Sequence, residues 1–226
     1  MDISKNLDEI RKSLDPSIKL VAVSKTKSNQ QIMEAYNHGQ RIFGENKVQE
    51  LTLKQNTLPN DIKWHMIGHL QRNKVKYIAS FVKLIHSVDN LKLLKEINKQ
   101  ALKNNLTINC LLQIKIASED TKFGMSIDEA KSILSQEVKS LNNISIVGLM
   151  GMASFTNDQN ILKKEFSFIS NFFNEIKTLY PKIKILSIGM SDDYRLAIKY
   201  GSNMIRIGSS ISVSYTHLTL PTSDLV

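Results

Sequence analysis

Short apolar runs alternate with longer amphipathic stretches from one end of the chain to the other. Eight runs have strand length: residues 19–24 (KLVAVS), 40–45 (QRIFGE), 62–68 (IKWHMIG), 82–88 (VKLIHSV), 107–116 (TINCLLQIKI), 144–150 (ISIVGLM), 183–189 (IKILSIG) and 203–208 (NMIRIG). Between them lie segments 28–39, 46–56, 71–80, 90–105, 126–138, 158–180 and 191–201. Each places apolar residues at i, i+3, i+4 and i+7, the period of a helix. Several open on Ser or Asp, natural N-caps, and two close on Gly39 and Gly201.

Strands apolar on both faces, alternating with helices, belong to a parallel sheet buried under helices. Eight of them in about 210 residues point to a (β/α)8 TIM barrel, with an open doubly wound sheet as the alternative. Against the open sheet, no strand is followed by Gly-x-Gly-x-x-Gly, and "IFGENK" lacks the glycines of a P-loop. A further amphipathic segment, 3–14, is expected to form an N-terminal helix capping the barrel. Residues 212–226 (SVSYTHLTLPTSDLV) have no period and are heavy in Ser and Thr. They resemble translated cloning-junction sequence and are set aside from the fold. The expected domain is therefore 1–211, followed by a disordered tail where the barrel's last helix should stand, at some cost in stability.

Composition narrows the class. Of 226 residues, 42% are apolar and 23% charged, ordinary values for a globular domain. No run approaches the roughly 18 apolar residues of a membrane span. The N-terminal residues carry acids and lack an apolar core, so they form no signal or transit peptide, and a cytoplasmic location is expected. Cys110 is the only cysteine and reads as a small buried hydrophobe in a reducing compartment. The net charge of +9 raises nucleic acid as a partner. The lysines, however, are scattered over expected helix faces without like-charge blocks or interleaved aromatics, so none is expected.

In such a barrel, functional groups sit at the C-terminal strand ends. There stand Lys25 after the first strand, Glu45 and Asn46 after the second, Asp89 after the fourth, "SIGMSDD" after the seventh and "RIGSS" after the eighth. Gly189 and Gly208 permit close backbone approach to an anion. Ser187, Ser191, Ser209 and Ser210 supply hydroxyls, and Ser191 is placed to cap the following helix, whose start favours an anion. Phosphate binding is the reading for this pair of turns. Lys25 shares a strand face with Val21 and Val23, which aims it at the barrel mouth, where partial desolvation favours the neutral amine that attacks an aldehyde. Lysine and phosphate cradle on one rim suit either pyridoxal phosphate or a phosphorylated sugar. Arg206, inward by strand parity, suits the first, facing the pyridine nitrogen and making the ring a poor electron sink. A sugar-phosphate lyase would need an acid/base carboxylate, with Glu45 and Asp89 the candidates. His65 and His69 stand about 13 Å apart along a strand, too far to share a metal ion. His65 reads as structural and His69 as a possible ligand neighbour. Met150 and Met152 read as core.

The segments "VAVSKTKS", "GENKVQE", "WHMIGHLQRNK", "HSVD", "GLMGM" and "LSIGMSDDYRLAIKYGSNMIRIGSSI", in this order, resemble those of the pyridoxal phosphate homeostasis proteins. The resemblance spans residues 5–211. It implies the barrel of alanine racemase without that enzyme's second, β-rich domain. It further implies pyridoxal 5'-phosphate held as an internal aldimine, with no established turnover and a role in buffering or delivering the cofactor. Carried over by position, Lys25 is the aldimine lysine and Asn46 lies beside the ring. Ser187, Met190, Ser191, Gly208 and Ser209 hold the phosphate, Arg206 meets the pyridine nitrogen, and Lys122 is a second lysine near the site. The family continues "RIGSSI" with a Phe-Gly-Ala-Arg-like segment that this chain lacks. The implied partners are the cofactor and pyridoxal phosphate-dependent apo-enzymes, and the lack of a dimerising domain implies a monomer. A racemase-like enzyme remains the alternative, although racemisation requires acid/base groups on both faces of the substrate carbon.

Overall fold

The computed structural model describes residues 2–117 and 123–212. Eight parallel strands close into a barrel in sequence order: β1 (Lys19–Val23), β2 (Ile42–Glu45), β3 (Lys63–Met66), β4 (Leu84–Val88), β5 (Ile108–Ile114), β6 (Ile144–Gly151), β7 (Ile185–Ser187) and β8 (Met204–Ile207). Closure runs through β1 and β8, with Val21 opposite Arg206 and Ala22 opposite Ile207. All eight strands fall within the apolar runs read from the sequence, apart from one residue, Gly151.

The outer ring comprises α1 (Ile3–Lys12), α2 (Asn29–Asn37), α3 (Val48–Thr57), α4 (Leu91–Lys103), α5 (Ile127–Ser135), α6 (Gln159–Leu179), α7 (Tyr194–Lys199) and α8 (Ser209–Ser212). Capping boxes start two of them: Ser28 with Gln31 on α2, and Ser126 with Glu129 on α5. Two layers of apolar packing result. Leu20, Ala22, Phe43, Trp64 and Ile205 face the helices in the main core. Val21, Leu84, Leu111, Met150 and Met204 form a separate plug inside the barrel. This alternation follows the two-residue period of a strand.

Three expectations need correction. The N-terminal helix α1 does not cap an end. Its Ile3, Leu7 and Ile10 join the sheet–helix core, and it packs against α2 and the single turn of α8, filling the ring beside β8 and β1. Asn6 Nδ2 donates to Ile211 O at 3.0 Å to fasten that corner. The 71–80 segment forms a 3-10 turn, Arg72–Tyr77, in place of an α-helix. No acid stands in its first turn and Gln71 makes no side-chain cap, so its start lacks the groups that stabilise an α-helix N-terminus. The 191–201 helix begins only at Tyr194. Asp193 precedes it, and Ser191 does not cap it. Of the expected tail, 212–226, all but Ser212 lies outside the described residues. At the junction α8 supplies one turn of the helix expected to be missing.

The strand β7 has three residues and a single registered pair with β8. Side chains extend the seam: Asn203 Oδ1 accepts from Leu186 N at 2.9 Å, and Ser202 Oγ donates to Ile188 O at 2.7 Å. On the other side, Gly148 lets β6 approach β7 closely, since a Cβ there would stand 1.9 Å from Ile185 O.

Candidate cofactor site

The loops at the C-terminal ends of the strands carry the candidate residues. After β1 the chain makes a tight turn, with Lys27 N donating to Ser24 O at 3.0 Å. Lys25 occupies its second position and is solvent-exposed, which corrects the expectation of a partly desolvated amine. Next to it Thr26 takes a left-handed backbone, φ 61°. Across the barrel seam lies the turn after β8, where a Cβ on Gly208 would stand 3.2 Å from Val23 Cβ. Lysine and glycine turn are therefore neighbours on one rim.

The turns after β7 and β8 are joined directly. Gly208 N donates to Ser191 Oγ at 3.3 Å, and Arg206 N donates to Gly189 O at 3.0 Å. Gly189 has φ 97°, and a Cβ there would stand 2.9 Å from Tyr194 Cα, so glycine is needed on both counts. Asp193 Oδ1 accepts from Met190 N at 2.6 Å and fixes this turn. Burial raises the Asp193 carboxyl above the usual range, against the hydrogen bond from Met190. Met190 and Ser209 are exposed, and Gly208 is half-buried. Asn46 is half-buried, and the loop after β3 lies on its backbone: a Cβ on Gly68 would stand 2.4 Å from Asn46 O.

Arg206 is only 3% exposed, inside the barrel. Its Nη1 donates to Ser187 O at 2.7 Å and Ser187 Oγ at 2.8 Å, and its Nη2 to Gly151 O at 3.0 Å. Desolvation lowers its pKa to about 10, and Asp193 opposes that shift. Ser187, expected among the phosphate donors, is fully buried, and its hydroxyl is committed to this interior network.

The network continues through His86 and His65. Ser187 Oγ lies 3.1 Å from His86 Nδ1, and His86 Nε2 lies 3.0 Å from His65 Nδ1. A guanidinium only donates. Ser187 Oγ therefore accepts from Arg206 and keeps a second lone pair and its own proton, so its bond to His86 Nδ1, and that between His86 Nε2 and His65 Nδ1, run in the direction the histidine tautomers set. Burial keeps both rings neutral: His65 falls to about 3, and His86 falls well below its ordinary value. Sequence reading singled out His65 alone as structural. The signal for His86 was its parity with Leu84 in "VKLIHSV", which turns it inward.

Glu45 does not reach the mouth as a free acid. It is fully buried; its Oε1 accepts from Ser24 Oγ at 2.6 Å and Lys54 Nζ at 2.7 Å. Burial raises its carboxyl above the usual range, opposed by those two bonds. Asp89 accepts from Asn90 Nδ2 at 2.7 Å and lies 3.2 Å from His69 Nδ1, whose ring stacks on Phe123 at 4.1 Å. Both carboxylates are engaged by neighbouring side chains. Among the described residues no group of three His, Cys, Asp or Glu is arranged to hold a metal. Cys110 is buried, and burial raises its thiol pKa. Lys122 lies outside the described residues.

The fold is a sequential barrel with a lysine in the turn after β1 and joined glycine turns after β7 and β8. The chain belongs to the family described as alanine racemase, N-terminal domain, whose model matches residues 2–215. Its curated relatives narrow this further. The Helicobacter pylori (strain ATCC 700392 / 26695) pyridoxal phosphate homeostasis protein is 41% identical over 194 residues, 85% of this chain and 86% of that protein. The Escherichia coli (strain K12) protein of the same name is 35% identical over 227 residues, 93% and 95% of the two chains. PipY of Synechococcus elongatus PCC7942, solved with PLP bound, superposes with a TM-score of 0.84 at 33% identity, covering 92% of this chain and 99% of that one. A Clostridium difficile alanine racemase shares the fold at 17% identity and TM-score 0.79, over 56% of its own length. Among the described residues no helix is long and apolar enough to cross a membrane.

Proposed function

We propose that this chain binds pyridoxal 5'-phosphate at the C-terminal rim and serves in its homeostasis as a carrier or buffer, without catalytic turnover. The observation that carries the reading is the adjacency of Lys25 and the Gly208 turn across β1 and β8, with Ser191 tying the β7 turn to the same place. The homeostasis proteins named above and PipY with PLP bound support the choice of ligand.

The residues fit the group. Gly189 and Gly208 lack side chains at two joined turns, which lets an anion approach the backbone, and Ser191 and Ser209 add hydroxyls suited to a phosphate. Pyridoxal phosphate supplies an aldehyde that condenses reversibly with an amine and releases water. Lys25 is the exposed amine beside these turns, and its nitrogen is assigned that bond. Met190 contributes to the phosphate turn, and Asn46 flanks the ring. Arg206, a buried cation, is assigned to the pyridine nitrogen, where it keeps a proton off the ring and weakens its pull on electrons. Ser187 is better assigned to holding Arg206 than to the phosphate. A monomer that hands its cofactor to apo-enzymes completes the reading.

Purified protein is expected to be yellow, and Lys25→Ala to lose the visible band. Incubation with L-alanine is expected to yield no D-alanine. Robust D-alanine production would favour a racemase-like enzyme, the alternative that the shared fold raises.

A further inference from the structure

Both neighbours of Lys25 in the chain are held by side chains from the next βα unit. Ser24 O accepts from Lys54 Nζ at 2.8 Å, and Ser24 Oγ donates to Glu45 Oε1 at 2.6 Å. On the other side, Thr26 N donates to Glu50 Oε2 at 2.9 Å. Lys54 Nζ lies between the two carboxylates, 2.7 Å from Glu45 Oε1 and 3.5 Å from Glu50 Oε2. Three acceptors surround its ammonium, and it is 7% exposed. Its nitrogen has no open side for a carbonyl group, whereas Lys25 is open to solvent.

The arrangement costs free energy in two places. A β-branched residue is strained in a left-handed backbone, yet Thr26 has φ 61°. Glu45 Oε2, buried, finds no hydrogen-bond donor among the described residues. Strain of this kind persists only where surrounding groups over-determine it, and it concentrates where a side chain must be preset.

We propose that Glu50 and Lys54 are positioning residues for Lys25, clamping the Ser24–Lys27 turn so that the Lys25 amine is held ready for an aldehyde. This rests on the reading of Lys25 as the cofactor-binding lysine. The clamp acts before any ligand arrives: it raises the fraction of molecules whose turn is competent, and apparent affinity scales with that fraction. It also separates the two amines by role, one closed within an ion network and one presented to solvent.

The test titrates cofactor-free protein with pyridoxal phosphate, following visible absorbance, with thermal unfolding of each variant measured alongside. Glu50→Ala is expected to weaken apparent affinity about three- to tenfold through loss of a charge-assisted hydrogen bond, with a thermal midpoint close to wild type. Glu50→Gln is expected to recover most of the loss, since its amide oxygen still accepts from Thr26 N. Thr26→Asn added to Glu50→Ala is expected to recover it too, because asparagine enters the left-handed region at lower cost. Wild-type affinity in Glu50→Ala, or a midpoint that falls while affinity holds, overturns the proposal. So does a failure of Thr26→Asn to restore binding. If Glu50→Ala does not fold, Thr26→Asn alone decides: binding at least as tight as wild type supports the clamp, and weaker binding overturns it. Lys25→Ala separates the two levels. A variant that keeps the visible band removes the Lys25 reading and the clamp with it. If Lys25→Ala loses the band while Glu50→Ala binds normally, only the clamp is refuted.

Discussion

Lys54 and Glu45 form an ion pair that burial makes sensitive to the loss of either partner. Lys54→Met leaves the Glu45 carboxylate buried without its cation, which costs about 3–5 kcal/mol. Urea unfolding is expected to show that loss, and a change under about 1 kcal/mol, the range of an exposed pair, would contradict the burial described. The interior histidines give a prediction in pH. His65 titrates near 3 in the fold, against an ordinary value of about 6.5 in the unfolded chain. Between these values the unfolded state binds more protons. The stability His65 contributes is therefore complete above about pH 6.5 and is lost as pH falls toward 3, by up to about 1.4 kcal/mol per unit. Unfolding free energies measured from pH 7 down to 5 should fall more steeply in wild type than in His65→Gln, and equal slopes would contradict a buried neutral ring. Legibility at this scale was uneven. The place of Lys25 just past the end of β1 could be read because a strand's end is local, whereas its exposure could not. The Ser24–Glu45–Lys54 cluster joins residues 21 and 30 positions apart, and the pairing of β1 with β2 brings them together.

The strands were legible throughout because each is apolar on both faces and bounded by polar turns. The helices were less so where charge or capping intervened. The segment from Gln71 has the helical period, yet it opens without a cap or an acid and forms a 3-10 turn. The helix after β7 was expected at Ser191, but Ser191 is engaged with Gly208, and α7 starts three residues later. At β6, "IVGLM" read as a strand without a reason for its glycine; the approach of Ile185 O supplies it. Gly148→Ala must force β6 and β7 apart. A loss of about 1–3 kcal/mol or more is expected from such overpacking. It should weaken pyridoxal phosphate binding as well, because Ser187 and Arg206 meet at that seam. A variant as stable and as tightly binding as wild type would contradict the described contact.

The described residues form one closed barrel, and its rim gathers residues that follow β1, β2, β7 and β8, so motifs far apart in the chain stand where the proposed reading needs them. The barrel and its rim were legible from strand count and the rule that such folds work at their C-terminal face. The interior relay from Arg206 to His65 was not, since it depends on which side chains share a barrel layer. A carrier of the proposed form is expected to behave as a monomer in light scattering after size exclusion, and a stable dimer would contradict that.

The central claim is that one particular amine captures the cofactor. Protein loaded with pyridoxal phosphate, reduced with borohydride, digested and analysed by mass spectrometry tests it directly. The account predicts a stable phosphopyridoxyl modification at Lys25 in near-stoichiometric yield. Modification concentrated on any other lysine, with Lys25 recovered unmodified, would contradict it.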